Sequence, residues 1–212
     1  MDWVKLITDR ARVSGILRVD ELARELEVSE VAVGNALRRQ ERRGLVEHLG
    51  KKIFVNRLVP DFSGRELINL LRPDAYLSLE TVLRDSGIST QSATVLTCVT
   101  PGRAGEFRSR SISIVFRRLS KNLFWGFHEK RTRYGKYNIA DPEKALLDWV
   151  YLRRQEGSTV PTDELDFQRL DRAKLLQYAA RFPVPVKQQV LEAVAIFNFA
   201  QPRAASHSSL KG

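Results

Sequence analysis

Cysteine is nearly absent from this chain. Its 212 residues hold one, Cys98, which excludes a disulfide framework and any cysteine-rich zinc or iron–sulfur site. The three histidines, His48, His128 and His207, are scattered and give no metal-ligand spacing. We therefore expect neither metal nor cofactor. Gly 12 and Pro 8 are too few for a collagen-like or disordered chain. No apolar run approaches the roughly 18 residues needed to span a bilayer. Met1-Asp2-Trp3 lacks the basic and apolar regions of a signal peptide. A soluble protein in a reducing, cytoplasmic setting, with no membrane partner, is the expectation.

Enzyme signatures are missing too. No lysine has an acid two positions before it, so the (Asp/Glu)-x-Lys element of restriction-like nucleases is absent. There is no GxxxxGK[ST] phosphate loop, no HExxH and no Ser/His/Asp order worth naming. Cys98 sits in a β-branched run and reads as buried and inert. We expect no catalytic residues and no enzymatic activity. A winged helix fused to a nuclease is the weakest of the readings considered.

Acid is in short supply, and base is not. Lys+Arg 35 against Asp+Glu 25 leaves a net charge of +10, which favours an anionic partner, nucleic acid first. Residues 37–57 carry seven basic and two acidic residues. Residues 103–136 carry ten basic and two acidic ones.

Periodicity divides the chain. Trp3, Leu6, Ile7 and Ala11 share one helical face. Ile16, Leu17 and Arg18 form a short apolar stretch, read as a minor strand. Asp20 is read as the cap of a helix that buries Leu22, Ala23 and Leu26. Glu27-Val28 is the turn, with Val28 plugging it. Ser29 caps the next helix, from about Glu30 to Arg43, and Gly44 occupies the C′ position where φ is positive. Two strands around Gly50-Lys51-Lys52 complete the unit. The fold class read from this is α+β. Residues 1–57 form a winged helix–turn–helix, residues 58–64 a linker, residues 65–200 a second domain with a small, mostly antiparallel sheet flanked by helices, and residues 201–212 a disordered tail. In that second domain, strands are expected near 94–100, 111–116, 122–127 and 134–139. Helices are expected near 66–71, after Ser78, from Asp141-Pro142-Glu143 to Arg154, over 170–181 and over 184–199. The last would pack Val190, Leu191, Val194 and Phe197 on its own domain.

The helix–turn–helix carries the strongest functional signal. Val33, Ala36 and Leu37 form the buried stripe of its second helix, with Leu45 closing the core. Gln40 stands where an apolar residue is usual. The opposite face presents Ser29, Glu30, Val31, Gly34, Asn35, Arg38, Arg39, Arg42 and Arg43. Such a helix enters the major groove N-terminal end first. Asn35 can bond adenine bidentately and Arg38 or Arg39 guanine. Arg42 and Arg43 suit phosphates, which position without specifying. Lys51 and Lys52 suit flanking backbone or minor groove. Gly34 lets the helix approach closely. The expected partner is double-stranded DNA.

The order Leu22-Ala23-x-x-Leu26-x-Val28-Ser29, Val33-x-x-x-Leu37 and Arg42-x-Gly44-Leu45-Val46 resembles winged helix–turn–helix transcription regulators over residues 16–56. Further segments follow: Tyr76-Leu77-Ser78-Leu79, the strand-like run 95–100, Leu123-Phe124-Trp125-Gly126, and Ala140-Asp141-Pro142-Glu143-Lys144-Ala145-Leu146-Leu147-Asp148. Over residues 15–200 the chain resembles the AbiEi antitoxin family. That resemblance implies a bacterial type IV toxin–antitoxin, or abortive-infection, protein. It would repress its own operon through the winged helix and counteract a nucleotidyltransferase toxin encoded beside it, directly or indirectly. An alternative is a repressor whose second domain holds a small-molecule effector pocket.

Three local expectations remain. Asp141-Pro142-Glu143 reads chiefly as a helix start. Lys144, one turn before Asp148 on the same face, is expected to pair with it structurally. The basic stretch, with Arg103, Arg108, Arg110, Arg117, Arg118, Lys121, Arg131 and Arg133, is either a solvated sheet edge or a surface for nucleic acid or a protein partner. Phe116, Phe124 and Trp125 within it read as core.

Overall fold

The computed structural model describes residues 1–60, 62–90, 94–161 and 164–200; the tail read as disordered and the Phe197 side chain lie outside the described residues. The protein is α+β. α1 (Trp3–Arg10) is capped by Asp2, whose carboxylate accepts from the N–H groups of Val4 and Lys5. β1 (Ile16–Arg18), α2 (Val19–Glu25), α3 (Glu30–Arg42), β2 (Val46–Gly50) and β3 (Ile53–Asn56) follow. The three strands form one antiparallel sheet in the order β1-β3-β2.

Local chemistry explains the ends of α3. Ser29 Oγ accepts from the Ala32 N–H at 3.2 Å, as an N-cap does. Gly44 follows the helix with φ 77°, where a Cβ would be penalised. Asp20 is not a cap. Arg18 holds that position, and Asp20 lies in the first turn of α2, its carboxylate bonded to Arg18. The core under α3 is Leu22, Ala23, Val33 and Leu37, with Ile7 and Val46; Leu26 packs on its margin. Val46, not Leu45, closes this core, and Val28 is 37% exposed rather than plugging the turn. Gln40 is buried, and its carbonyl accepts from Arg43 at 3.3 Å, so the polar residue is partnered.

The second sheet has six strands in the order β6-β7-β5-β4-β9-β8. They are β4 (Tyr76–Leu77), β5 (Leu96–Thr100), β6 (Gly105–Arg108), β7 (Ser113–Arg118), β8 (Phe127–Thr132) and β9 (Gly135–Ala140). Three neighbouring pairs are antiparallel; β5–β7 and β4–β9 are parallel. The strand expected over 122–127 is instead a 3-10 turn (Lys121–Leu123) leading into β8. β4 and β6 were not foreseen. Helices α4 (Leu67–Leu71), α5 (Leu79–Asp85), α6 (Pro142–Gln155), α7 (Arg172–Ala179) and α8 (Val184–Ala200) complete the domain. Among the described residues no helix is long and apolar enough to cross a membrane.

The two modules are packed together. Ile53 and Val55 of β3 belong to the larger core, not the smaller one. Residues 58–64, read as a linker, hold buried Val59 and a Phe62 ring that fills the space at Gly15, where a Cβ would come within 2.2 Å of it. Asp61 of that segment lies outside the described residues. Both hairpins of the large sheet reach the N-terminal module. At the β6–β7 tip, the Arg110 N–H and Ser111 hydroxyl donate to buried Glu47 of β2 at 2.7 and 2.8 Å. At the β8–β9 tip, Arg133 Nε donates to the Arg12 carbonyl at 3.3 Å.

Candidate nucleic-acid interface

A 3.6-residue period sends Val33, Ala36, Leu37 and Gln40 inward and leaves the opposite side of α3 in solvent. Glu30, Val31, Asn35, Arg38, Arg39, Arg42 and Arg43 are all exposed, as is Ser29 ahead of them. Asn35, Arg38, Arg39 and Arg42 make no side-chain hydrogen bond or ion pair among the described residues. Neither Asn35 nor Arg38 is covered by the second domain. Val31 is 72% exposed, and a thymine methyl is the natural partner for an apolar side chain on such a face.

Gly34 sits on this same side in mid-helix. A Cβ built there meets nothing within 4 Å. Glycine inside a helix costs about 1 kcal/mol relative to alanine. No packing within the protein requires that cost. Close approach of another molecule to the helix would.

The wing lies alongside. Lys51 and Lys52 form a two-residue turn with φ 48° and 64°. Positive φ at both positions is the pattern of a type I′ hairpin turn, where Asn-Gly is the common choice. Two lysines here store backbone strain, of order 1–2 kcal/mol per residue. Lys52 pairs with Glu30 of α3, which ties the wing to the helix and holds the lysine ammonium above its usual pKa. Lys51 is exposed and unpaired among the described residues. Between helix and wing runs a groove of about 190 Å³, lined by Val31, Gly34 and Arg38 on one side and His48, Lys52 and Phe54 on the other. The His48 ring rests on Phe54 with centroids 4.6 Å apart.

The basic stretch 103–136 is not one surface. Strand order places β6 and β8 at opposite edges of the sheet, about 24 Å apart at ~4.8 Å per strand. Arg108 pairs with Glu106, Arg117 with Glu156, and Arg131 and Lys136 with Glu129. Arg103 and Arg110 are exposed, and Arg133 lies over the Tyr134 ring. Arg118 ends β7 and Lys121 follows it in the next turn; both are exposed. Phe116 is buried, and Phe124 and Trp125 pack on the large core, as expected.

Four polar residues that sequence reasoning only partly connected meet inside the second domain. Lys144 and Asp148 form the anticipated ion pair. Tyr76 and Ser78, from β4 and the residue before α5, join them. All four have 0% exposure. Ser78 occupies the N-cap position of α5, yet its hydroxyl serves Asp148 rather than the helix. Asp141 likewise starts α6 without capping it; its carboxylate accepts from Tyr178 at 2.8 Å and Lys174 at 3.0 Å. Glu143 accepts from the Asp171 N–H at 2.8 Å. Cys98 is fully buried, and burial pushes its thiol pKa up, away from the reactive thiolate. No group of three or more His, Cys, Asp or Glu among the described residues is placed to hold a metal ion.

No protein-family model matches the chain, and no curated protein matches it. Among solved structures, it is similar to the RV2827C protein from Mycobacterium tuberculosis. The two share 12% sequence identity with a TM-score of 0.56, over 90% of this chain and 76% of that one. At that identity the likeness establishes a common fold.

Proposed function

We propose that this protein is a sequence-reading, duplex-DNA-binding regulator that acts by binding rather than by catalysis. α3 enters the major groove with Gly34 nearest the base edges. Asn35 and Arg38 read bases, Arg39, Arg42 and Arg43 meet flanking phosphates, and the Lys51-Lys52 tip reaches the neighbouring backbone. The observation that carries this reading is the side of α3 holding Gly34, Asn35 and Arg38: it is open, and its two polar side chains are unengaged.

The test is binding of the full chain to the DNA upstream of its own reading frame, against scrambled competitor. Asn35→Ala and Arg38→Ala should each lower discrimination by about 1–3 kcal/mol per lost bidentate contact. Unchanged specificity in both variants would remove the recognition-helix assignment.

The resemblance to AbiEi proteins supports a second element: autorepression coupled to antitoxicity against a nucleotidyltransferase toxin. The residues that carry the resemblance bear on how that would work. Tyr76, Ser78, Lys144 and Asp148 have no exposed surface, so they would maintain the domain rather than touch a toxin. Rescue of growth on co-expression with a nucleotidyltransferase encoded next to this gene tests the idea. Failure to rescue, with the chain folded and bound to DNA, would leave a regulator without an antitoxin role.

A further inference from the structure

β5 and β7 lie side by side and parallel, from Leu96 opposite Ile114 to Thr100 opposite Arg118. Both strands therefore end side by side, at Thr100 and Arg118, at one end of the sheet. A cleft of about 340 Å³ opens at that point. Pro101 borders it on the β5 side, Arg118, Ser120 and Lys121 on the β7 side, and Gln155 at the end of α6. Its volume falls within the range of small-molecule sites.

The lining has one sign of charge. Arg118 and Lys121 are exposed and make no side-chain hydrogen bond or ion pair among the described residues. The nearby Glu156 is taken by Arg117, and no carboxylate lines the cleft. The polar wall is pre-arranged: Ser120 Oγ and the Tyr151 hydroxyl lie 2.9 Å apart, and Gln155 Nε2 donates to that hydroxyl at 2.8 Å. A guanidinium, an ammonium, a hydroxyl and an amide around one concavity are the donor set for a phosphoryl group.

We propose that this cleft binds a phosphorylated small molecule of mononucleotide size, with its phosphoryl group between Arg118 and Lys121. The site is separate from α3 and stands whether or not the DNA-binding reading holds. A phosphorylated strand end presents the same chemistry, so the experiment distinguishes the two sources. The full chain is titrated calorimetrically with AMP, with inorganic pyrophosphate, and with a single-stranded tetranucleotide carrying or lacking a 5′-phosphate. The same titrations are run on Arg118→Gln/Lys121→Gln, whose folding is checked by thermal melting, and on Arg103→Gln as a charge control outside the cleft. Saturable binding of AMP and pyrophosphate, weakened at least tenfold in the double variant and unchanged in Arg103→Gln, is the expected result. No saturable binding of either, or equal binding by wild type and double variant, overturns the site. Binding of the 5′-phosphorylated tetranucleotide with none of AMP overturns the small-molecule assignment and gives the cleft to strand ends.

Discussion

The Tyr76 hydroxyl donates to Asp148 Oδ2 at 2.9 Å, across 72 positions of sequence. Ser78 Oγ donates to the same oxygen at 3.0 Å. Lys144 pairs with the other carboxylate oxygen and donates to the Tyr76 hydroxyl at 2.9 Å. Every polar atom of this group thus has a partner, in a region closed by Phe124, Phe127, Trp125 and Phe182. Burial pushes the Tyr76 phenol and the Asp148 carboxyl up and the Lys144 ammonium down, and the Lys144–Asp148 contact opposes the last two. Directly after Ser78, Leu79 takes a left-handed backbone (φ 58°), a strained conformation at the point where the chain turns from β4 into α5.

Removing one partner of this pair should therefore be severe. Lys144→Met alone leaves a buried carboxylate without its cation and should cost about 3–5 kcal/mol. Lys144→Met with Asp148→Asn should recover more than half of that, because no unpaired charge remains. Urea unfolding of the two variants measures it; equal losses would mean that packing, not charge, governs the site.

Gly34→Ala separates stability from recognition. With nothing within 4 Å of the added Cβ, the variant should be more stable by about 0.5–1 kcal/mol. Its DNA affinity should fall if the helix approaches base edges at this point. Thermal melting and a binding titration on the same preparation check both; greater stability with undiminished affinity would place the duplex elsewhere.

The wing turn makes a parallel case. Lys51→Asn with Lys52→Gly relieves two left-handed non-glycine residues, about 1–2 kcal/mol each. It loses only an exposed, solvent-screened Lys52–Glu30 pair. Relief outweighs loss, so the melting temperature should rise. DNA binding should weaken, and the slope of log K against log salt should shrink by about 0.9 for each phosphate contact removed. An unchanged slope would show that the wing does not touch phosphate.

Glu47 links pH to the docking of the two modules. Burial raises its carboxyl, but the Ser111 hydroxyl, the Arg110 N–H and the charge of Arg57 outweigh burial and hold it below the usual 4.5. A group lowered on folding adds stability above its unfolded pKa and loses it as pH falls through the folded value. Wild type should exceed Glu47→Gln by about 1.5–3 kcal/mol at neutral pH, the range for hydrogen bonds to a charged group. The gap should close below about pH 4.5. Denaturation of both proteins across that range reads it directly; a constant gap would rule out a charged role for Glu47.

Much of the N-terminal module was legible because its signals are local. Ser29, the stripe Val33, Ala36, Leu37, and Gly44 lie within a few turns of one helix, and each acts on neighbours in sequence. Errors began where a side chain had another partner to serve. Asp20, Ser78 and Asp141 all have the chemistry of a cap, yet their oxygens go to Arg18, Asp148, and Tyr178 with Lys174. Cap chemistry names a capacity, and packing decides which donor or acceptor claims it. β4, two residues long, carried too little alternation to read, and it exists because β5 and β9 flank it.

By itself, the amino-acid order determined that α3 would have one aliphatic and one arginine-bearing side, because helical period and caps are properties of contiguous residues. It also determined that Lys144 and Asp148 would face each other, one turn apart on α6. Only the tertiary structure decided that Tyr76 and Ser78 complete that pair, that the basic run 103–136 is divided between opposite edges of a sheet, and that Phe62, in the segment read as a linker, packs between modules. Strand order and module docking depend on which distant surfaces bury one another, and nothing in the spacing of neighbouring residues encodes that choice.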